Sequence, residues 1–208
     1  MKEERDYIRD ITEIRSMMER SSKFLSLSGW AGVMAGLYAL SGAYVAYKVF
    51  QFDPDGVQYD NLAPGSSAGN LMNVSLLALV ILILSIGTAI LLSYRKAGKK
   101  GERLWNASAR QLVISMAVPL VAGGLLILIL IAHGLVGLAA PSSLLFYGLA
   151  LFNAGKFTYG EVRFLGLIQI VLGLISACFV EHGLLLWSVG FGIFHIIYGI
   201  YIHYKYER

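Results

Sequence analysis

The sequence predicts an all-α integral membrane protein of six transmembrane helices, with both termini cytoplasmic and the fifth and sixth helices forming a tight antiparallel hairpin. Three observations carry this fold class. The 208-residue chain is 57% hydrophobic and only 14% charged, too apolar to cover a soluble globule. Six apolar runs approach the roughly 20 residues that a helix needs to cross the hydrocarbon core. Finally, Lys and Arg are distributed unevenly between the segments that separate the runs, and these residues are retained on the cytoplasmic side.

The runs extend from Phe24 to Tyr47, Met72 to Tyr94, Leu112 to His133, Pro141 to Asn153, Tyr159 to Val180 and Leu184 to Tyr204. The fourth is short, and the apolar GLVGLAAP before it either lies in the interface or extends the span. With the N-terminus inside, the inner segments 1–23, 95–111, 154–163 and 205–208 hold six, six, two and two basic residues. Sixteen of the 17 basic residues then fall inside and only Lys48 outside, which supports an even number of spans with both termini inside. The outer loop from Gln51 to Leu71 carries Asp53, Asp55 and Asp60 and no basic residue. The net charge of +4 is thus a consequence of topology, and no nucleic acid is expected as a partner.

Residues 1–23 are expected to form a cytoplasmic amphipathic helix ahead of a six-helix transmembrane domain over 24–208. Their charged composition is the wrong order for a cleavable signal, so the first span is expected to be permanent. Tyr7, Ile11, Ile14, Met18 and Leu25 recur at helical spacing, with Ser21 in the gap. A membrane-surface helix would be strongly basic on its polar face, yet Glu3, Glu4, Asp6, Asp10, Glu13 and Glu19 balance the arginines. The narrow stripe of residues 3–23 suits a cytoplasmic protein partner or a second copy of the chain; it equally suits folding back on the protein's own inner surface.

Inside the spans, charge is almost absent, and the polar groups near mid-depth are Gln169, His195 and scattered Ser and Thr. Gly166, Gln169, Gly173 and Ser176 recur at helical spacing on the fifth span, as do Ser188, Gly192, His195 and Gly199 on the sixth. A hairpin turning near Glu181 to Gly183 sets Gly166 opposite Gly199, Gln169 opposite His195, Gly173 opposite Gly192 and Ser176 opposite Ser188. Small residues let helix backbones approach closely, and an amide-to-imidazole hydrogen bond satisfies both polar groups away from water. His195 is therefore read as structural before it is read as a proton relay or ligand. Ser28, Gly32, Gly36 and Ala43 form a further small-residue stripe on the first span, suited to a neighbour in the same chain or another copy.

Other motifs have plain explanations. Gly65-Ser66-Ser67-Ala68-Gly69 spells a hydrolase elbow, but that elbow requires a preceding strand. Asp53-Pro54-Asp55-Gly56 lacks the spacing of a calcium loop and suits a type I turn. Asn106-Ala107-Ser108 spells a glycosylation triplet on the cytoplasmic side. His133, Glu181 and His182 sit at outer span ends and form a weak metal candidate whose spacing does not fix them together; no metal is expected. Cys178, the single cysteine, has no internal disulfide partner. The loop RKAGKKGER could meet anionic headgroups, and its default role is to hold that loop inside.

In NAGKFTYGEVRF, between the fourth and fifth spans, Gly155 suits a left-handed helix stop. Thr158 and Glu161 have capping-box spacing, with Phe157 and Val162 placed for a hydrophobic staple. The run SGWAGVMAGLYALSGAY and the stretch from NAGKFTYGEVRFLG through GFGIFHIIYGIY resemble six-span bacterial inner-membrane proteins that have no assigned activity. That resemblance implies a multi-pass inner-membrane setting and no catalytic residue.

Two functions fit these residues. The first is a non-enzymatic scaffold or regulatory subunit, acting through helix packing and its cytoplasmic face, either as a homo-oligomer or with a protein partner. The alternative is a small permease or channel for a neutral or apolar solute, with Gln169, His195 and Pro119 along its path, since Pro119 would free a carbonyl in the third span. No cluster of acid, base and nucleophile emerges, so no enzyme is expected, and no motif calls for a cofactor.

Overall fold

The computed structural model describes residues 23–52, 67–99, 101 and 105–208. The stripe from Tyr7 to Met18, the aspartates of the outer loop, and Gly65 and Ser66 lie outside the described residues. Among those described, every regular element is helical. They are α1 (Gly29–Lys48), α2 (Ser67–Lys99), α3 (Ala107–Ala132), α4 (Ala139–Ala154, after a 3-10 turn at Val136–Leu138), α5 (Glu161–Cys178) and α6 (Val180–Tyr206). Helix α6 opens with a 3-10 turn and contains a π-helical segment, Ser188–Phe194.

Helices α2 to α6 are long and apolar enough to cross a membrane, α4 when its 3-10 turn is included. At 20 residues α1 has the length, although its many Gly, Ala and Tyr residues dilute its hydropathy. These helices mark a multi-pass membrane protein in contact with lipid. The most apolar window of α2 has no buried residue and that of α3 almost none, so both stand at the edge of the bundle. Around the bundle, α2 packs on α1, α1 on α6, α6 on α5, α5 on α4 and α4 on α3.

The helix boundaries differ instructively from those read in the sequence. Phe24 to Ser28 are not helical, and α1 begins only at Gly29. Helix α3 starts five residues before the apolar run does, because the Asn106 side chain accepts from the Ala109 N–H and caps it. The helix continues through Pro119. The apolar stretch before Pro141 does extend the fourth span, through the 3-10 turn at Val136–Leu138.

The expected tight α5–α6 hairpin is corrected by the glycines. A β-carbon on Gly199 would stand 2.5 Å from the Gly29 carbonyl oxygen, and one on Gly29 would stand 2.5 Å from the Gly199 oxygen. One on Gly36 would lie 2.6 Å from the Gly192 oxygen, and Gly32 rests against Gly199 and the His195 carbonyl. Gly192 meets Leu40. The small residues of α6 therefore face α1, beside which Ser28 is also buried. On α5, Gly166 abuts Phe152 and Gly148, while a β-carbon on Gly173 would lie 2.8 Å from the Leu145 nitrogen. Those two glycines face α4. Gly173 and Gly192 thus seal different helix pairs, and close backbone approach, which gives dense van der Waals contact in lipid, binds α1 to α6 and α4 to α5.

The physical reason lies partly in the π segment. A π turn closes i→i+5 rather than i→i+4 and shifts the phase of the residues that follow. Gly190, inside that segment, meets Gln169 on α5, while Gly192 and Gly199 both lie against α1.

The α4–α5 connection also departs from expectation. Gly155 ends α4 with φ −61°, in the right-handed region, so it is not a left-handed stop. Its lack of a side chain serves passage instead: a β-carbon there would overlap Cγ of Arg163. Thr158 does not cap α5, whose N-cap position is Gly160 with no side-chain bond. Thr158 Oγ1 donates instead to the Phe24 carbonyl at 2.7 Å, and the Phe24 N–H donates to the Phe157 carbonyl at 2.7 Å. Glu161 turns outward to Lys205 and Tyr206.

Candidate functional site

Two polar constellations stand out against the apolar bundle. The first gathers where α1 begins and α2 and α6 end. The extended stretch before α1 exposes backbone carbonyls that a helix would have satisfied internally, and side chains from elsewhere take them up. Tyr159 donates to the Leu25 carbonyl at 2.6 Å, and the Lys96 ammonium donates to the Leu27 carbonyl at 2.7 Å. Lys96 also reaches the Tyr159 hydroxyl at 3.2 Å and Glu207 Oε1 at 2.9 Å, which uses all three of its protons. Glu207 Oε1 accepts the Gly29 N–H at 2.8 Å, at the start of α1, and its Oε2 lies 2.8 Å from His203 Nδ1. The Trp30 and His203 rings lie 5.3 Å apart.

The Lys96 and Glu207 side chains are only 12% and 11% exposed, so this is a largely desolvated ion pair rather than a surface one. Burial would raise the Glu207 carboxyl. Hydrogen bonds from His203, Lys96 and the Gly29 N–H, with the Lys96 charge, outweigh it and hold its pKa down to about 2. We refer to this arrangement as the latch, since one carboxylate ties together the start of α1 and the ends of α2 and α6. In the sequence Lys96 is one of the basic residues of RKAGKKGER, and no motif marks Glu207. The one local signal was the four-residue spacing of His203 and Glu207 on a helix.

The second constellation lies within the bundle. Gln169 is fully buried and His195 is 5% exposed. The Gly190 carbonyl lies 3.0 Å from His195 Nδ1, and the Tyr147 hydroxyl lies 2.9 Å from Nε2. A carbonyl can only accept, so a proton sits on Nδ1, and Nε2 pairs with the Tyr147 hydroxyl, which can donate or accept. Gln169 Nε2 donates to the same Gly190 carbonyl at 2.8 Å. Its 3.4 Å approach to Nδ1 sets donor against donor. The two side chains expected to meet do meet, but they share Gly190 as an acceptor instead of bonding each other. The π turn presents that carbonyl to both. Phe191 stacks on the imidazole at 5.7 Å, with Tyr147 and Trp187 rings beside it.

The remaining sequence candidates are not drawn in. Pro119 belongs to α3 and joins none of the Gln169 or His195 bonds. Glu181 and His182 are exposed and 3.4 Å apart, and among the described residues no three His, Cys, Asp or Glu side chains are grouped to hold a metal. Cys178 is exposed.

Comparison of the chain with protein-family models, with curated proteins and with solved structures found no match. The class that the fold defines is a multi-pass helical membrane protein.

Proposed function

We propose that this protein is a non-enzymatic membrane scaffold or regulatory subunit of six spans, with both termini in the cytoplasm, acting through its helix packing and its cytoplasmic face. The observation that carries the reading is the burial of the mid-depth polar groups. Gln169 and His195 are 0% and 5% exposed; their bonds run to Tyr147 and Gly190, while Gln169 Oε1 has no hydrogen-bond partner among the described residues. Groups that pass a solute must be reached by it, and these are enclosed by the helix contacts. The distribution of 16 of 17 basic residues supports the orientation and sets the latch on the cytoplasmic side. In this reading the latch fixes the inner ends of α1, α2 and α6 as a platform for a second copy or a cytoplasmic protein.

Osmotic-swelling assays on proteoliposomes with glycerol and urea test this against the permease alternative. The expected result is swelling no faster than that of empty vesicles, with His195→Ala lowering thermal stability and leaving swelling unchanged. Faster swelling that His195→Ala abolishes would establish a permease instead.

A further inference from the structure

Where a tight α5–α6 seam was expected, the structure has a groove of about 500 Å³, within the ~300–1,000 Å³ range of ligand sites. Its walls are apolar: Phe164 and Ile168 from α5, Phe194 and Ile197 from α6. Tyr198 also lines it, and the hydroxyl of that residue is buried with no hydrogen-bond partner. The groove opens sideways, since Phe164 and Ile197 are 69% and 56% exposed on the surfaces of two membrane-crossing helices. At one end it finishes in opposite charges, Glu161 and Lys205, paired at 2.5 Å and 19% and 45% exposed.

We infer that this groove is a binding site for a bilayer phospholipid with a zwitterionic phosphoethanolamine head, its acyl chain along the α5–α6 walls and its head on Glu161 and Lys205. The chemistry is matched along the depth of the membrane. An apolar trough open to lipid takes a hydrocarbon chain, while the ion pair sits at the helix ends, where headgroups lie. Lys205 attracts the phosphate and Glu161 the ammonium. An anionic lipid satisfies Lys205 alone and brings its charge beside Glu161, so the pair selects against it. A small soluble zwitterion forgoes the apolar walls.

The test is native mass spectrometry of the full-length protein in detergent, titrated with dioleoyl phosphatidylethanolamine, dioleoyl phosphatidylglycerol, or glycerophosphoethanolamine, which has the head and no chains. The wild type is expected to favour phosphatidylethanolamine over phosphatidylglycerol by roughly tenfold, the scale of one charge-assisted contact, and to bind the chainless head undetectably. Glu161→Gln should erase the preference while binding of phosphatidylglycerol persists. Ile168→Trp, which fills the trough, should weaken both lipids, and Ile168→Val should leave them unchanged. Equal binding of the two lipids by the wild type would overturn the inference, as would a preference that survives Glu161→Gln. That pair of results decides the matter even if Ile168→Trp fails to fold. Lipid binding is read independently of solute flux, so the functional proposal can fail without this one failing.

Discussion

Helices α5 and α6 are consecutive in the chain and joined by a short turn, yet they leave a groove between them; α1 and α6, at opposite ends of the sequence, are pressed backbone to backbone. Glycine marks the difference. Where Gly29 meets Gly199, each would place a β-carbon 2.5 Å from the other's carbonyl oxygen, whereas the groove is walled by Phe and Ile. In lipid, apolar side chains gain little by leaving one hydrocarbon surface for another, so close backbone packing decides which helices associate. Chain neighbours need not be packing partners.

The comparison can be broken most severely at the α1–α6 seam. Gly199→Leu should force the helices apart and cost about 3 kcal/mol or more, read as loss of the folded fraction in chemical denaturation. Next in size is the latch, which pulls the same two helix ends together. Lys96→Met leaves the Glu207 carboxylate largely buried without its counter-charge and should cost about 3 kcal/mol. Thr158→Val removes the donor to the Phe24 carbonyl and should cost about 1 kcal/mol, measured by the same denaturation. That loss would register in the tether before α1 rather than at the start of α5.

Acid titration sharpens the latch further. The Glu207 carboxyl is held below its ordinary value of 4.5, so the stability it contributes is fully present above that pH and is lost as pH falls toward about 2. Thermal melts should show wild type losing stability across that window, with the slope reduced in Glu207→Gln. The smallest effect is expected on the outer helices. A β-carbon at Gly124 meets nothing within 4 Å, so Gly124→Ala should be neutral or stabilising by up to ~1 kcal/mol through helix propensity alone.

Much of this architecture is legible from residues alone. Apolar runs reveal where helices lie because hydrocarbon tolerates no unsatisfied backbone; each of the six runs holds a helix, and five of these helices are long and apolar enough to cross a membrane. Gly32 and Gly36 on α1, Gly166 and Gly173 on α5, and Gly192 and Gly199 on α6 lie where another helix comes close. A stripe identifies a face, however, and carries no label for the helix that will cover it. The glycine of α6 that meets α5 is Gly190, which lies in the π segment and outside the stripe.

Depth matching was more informative than face matching. Gln169 and His195 lie at one level, as the hairpin geometry requires, although they share the Gly190 carbonyl rather than bonding directly. The latch was illegible for another reason. Lys96 and Glu207 are far apart in sequence, and nothing local distinguishes a lysine that retains a loop from one that penetrates beneath it. Thr158 illustrates the converse hazard: its spacing to Glu161 fits a cap, but the Phe24 carbonyl, left free by an extended strand of chain, takes its hydroxyl instead.

The most direct test of the packing account is a pair of double-mutant cycles on thermodynamic stability. Gly29→Ala with Gly199→Ala should couple by more than ~1 kcal/mol, because each substitution displaces the same seam, while Gly166→Ala with Gly199→Ala should add within about 0.5 kcal/mol. Strong coupling of Gly166 with Gly199, and independence of Gly29 from Gly199, would contradict it.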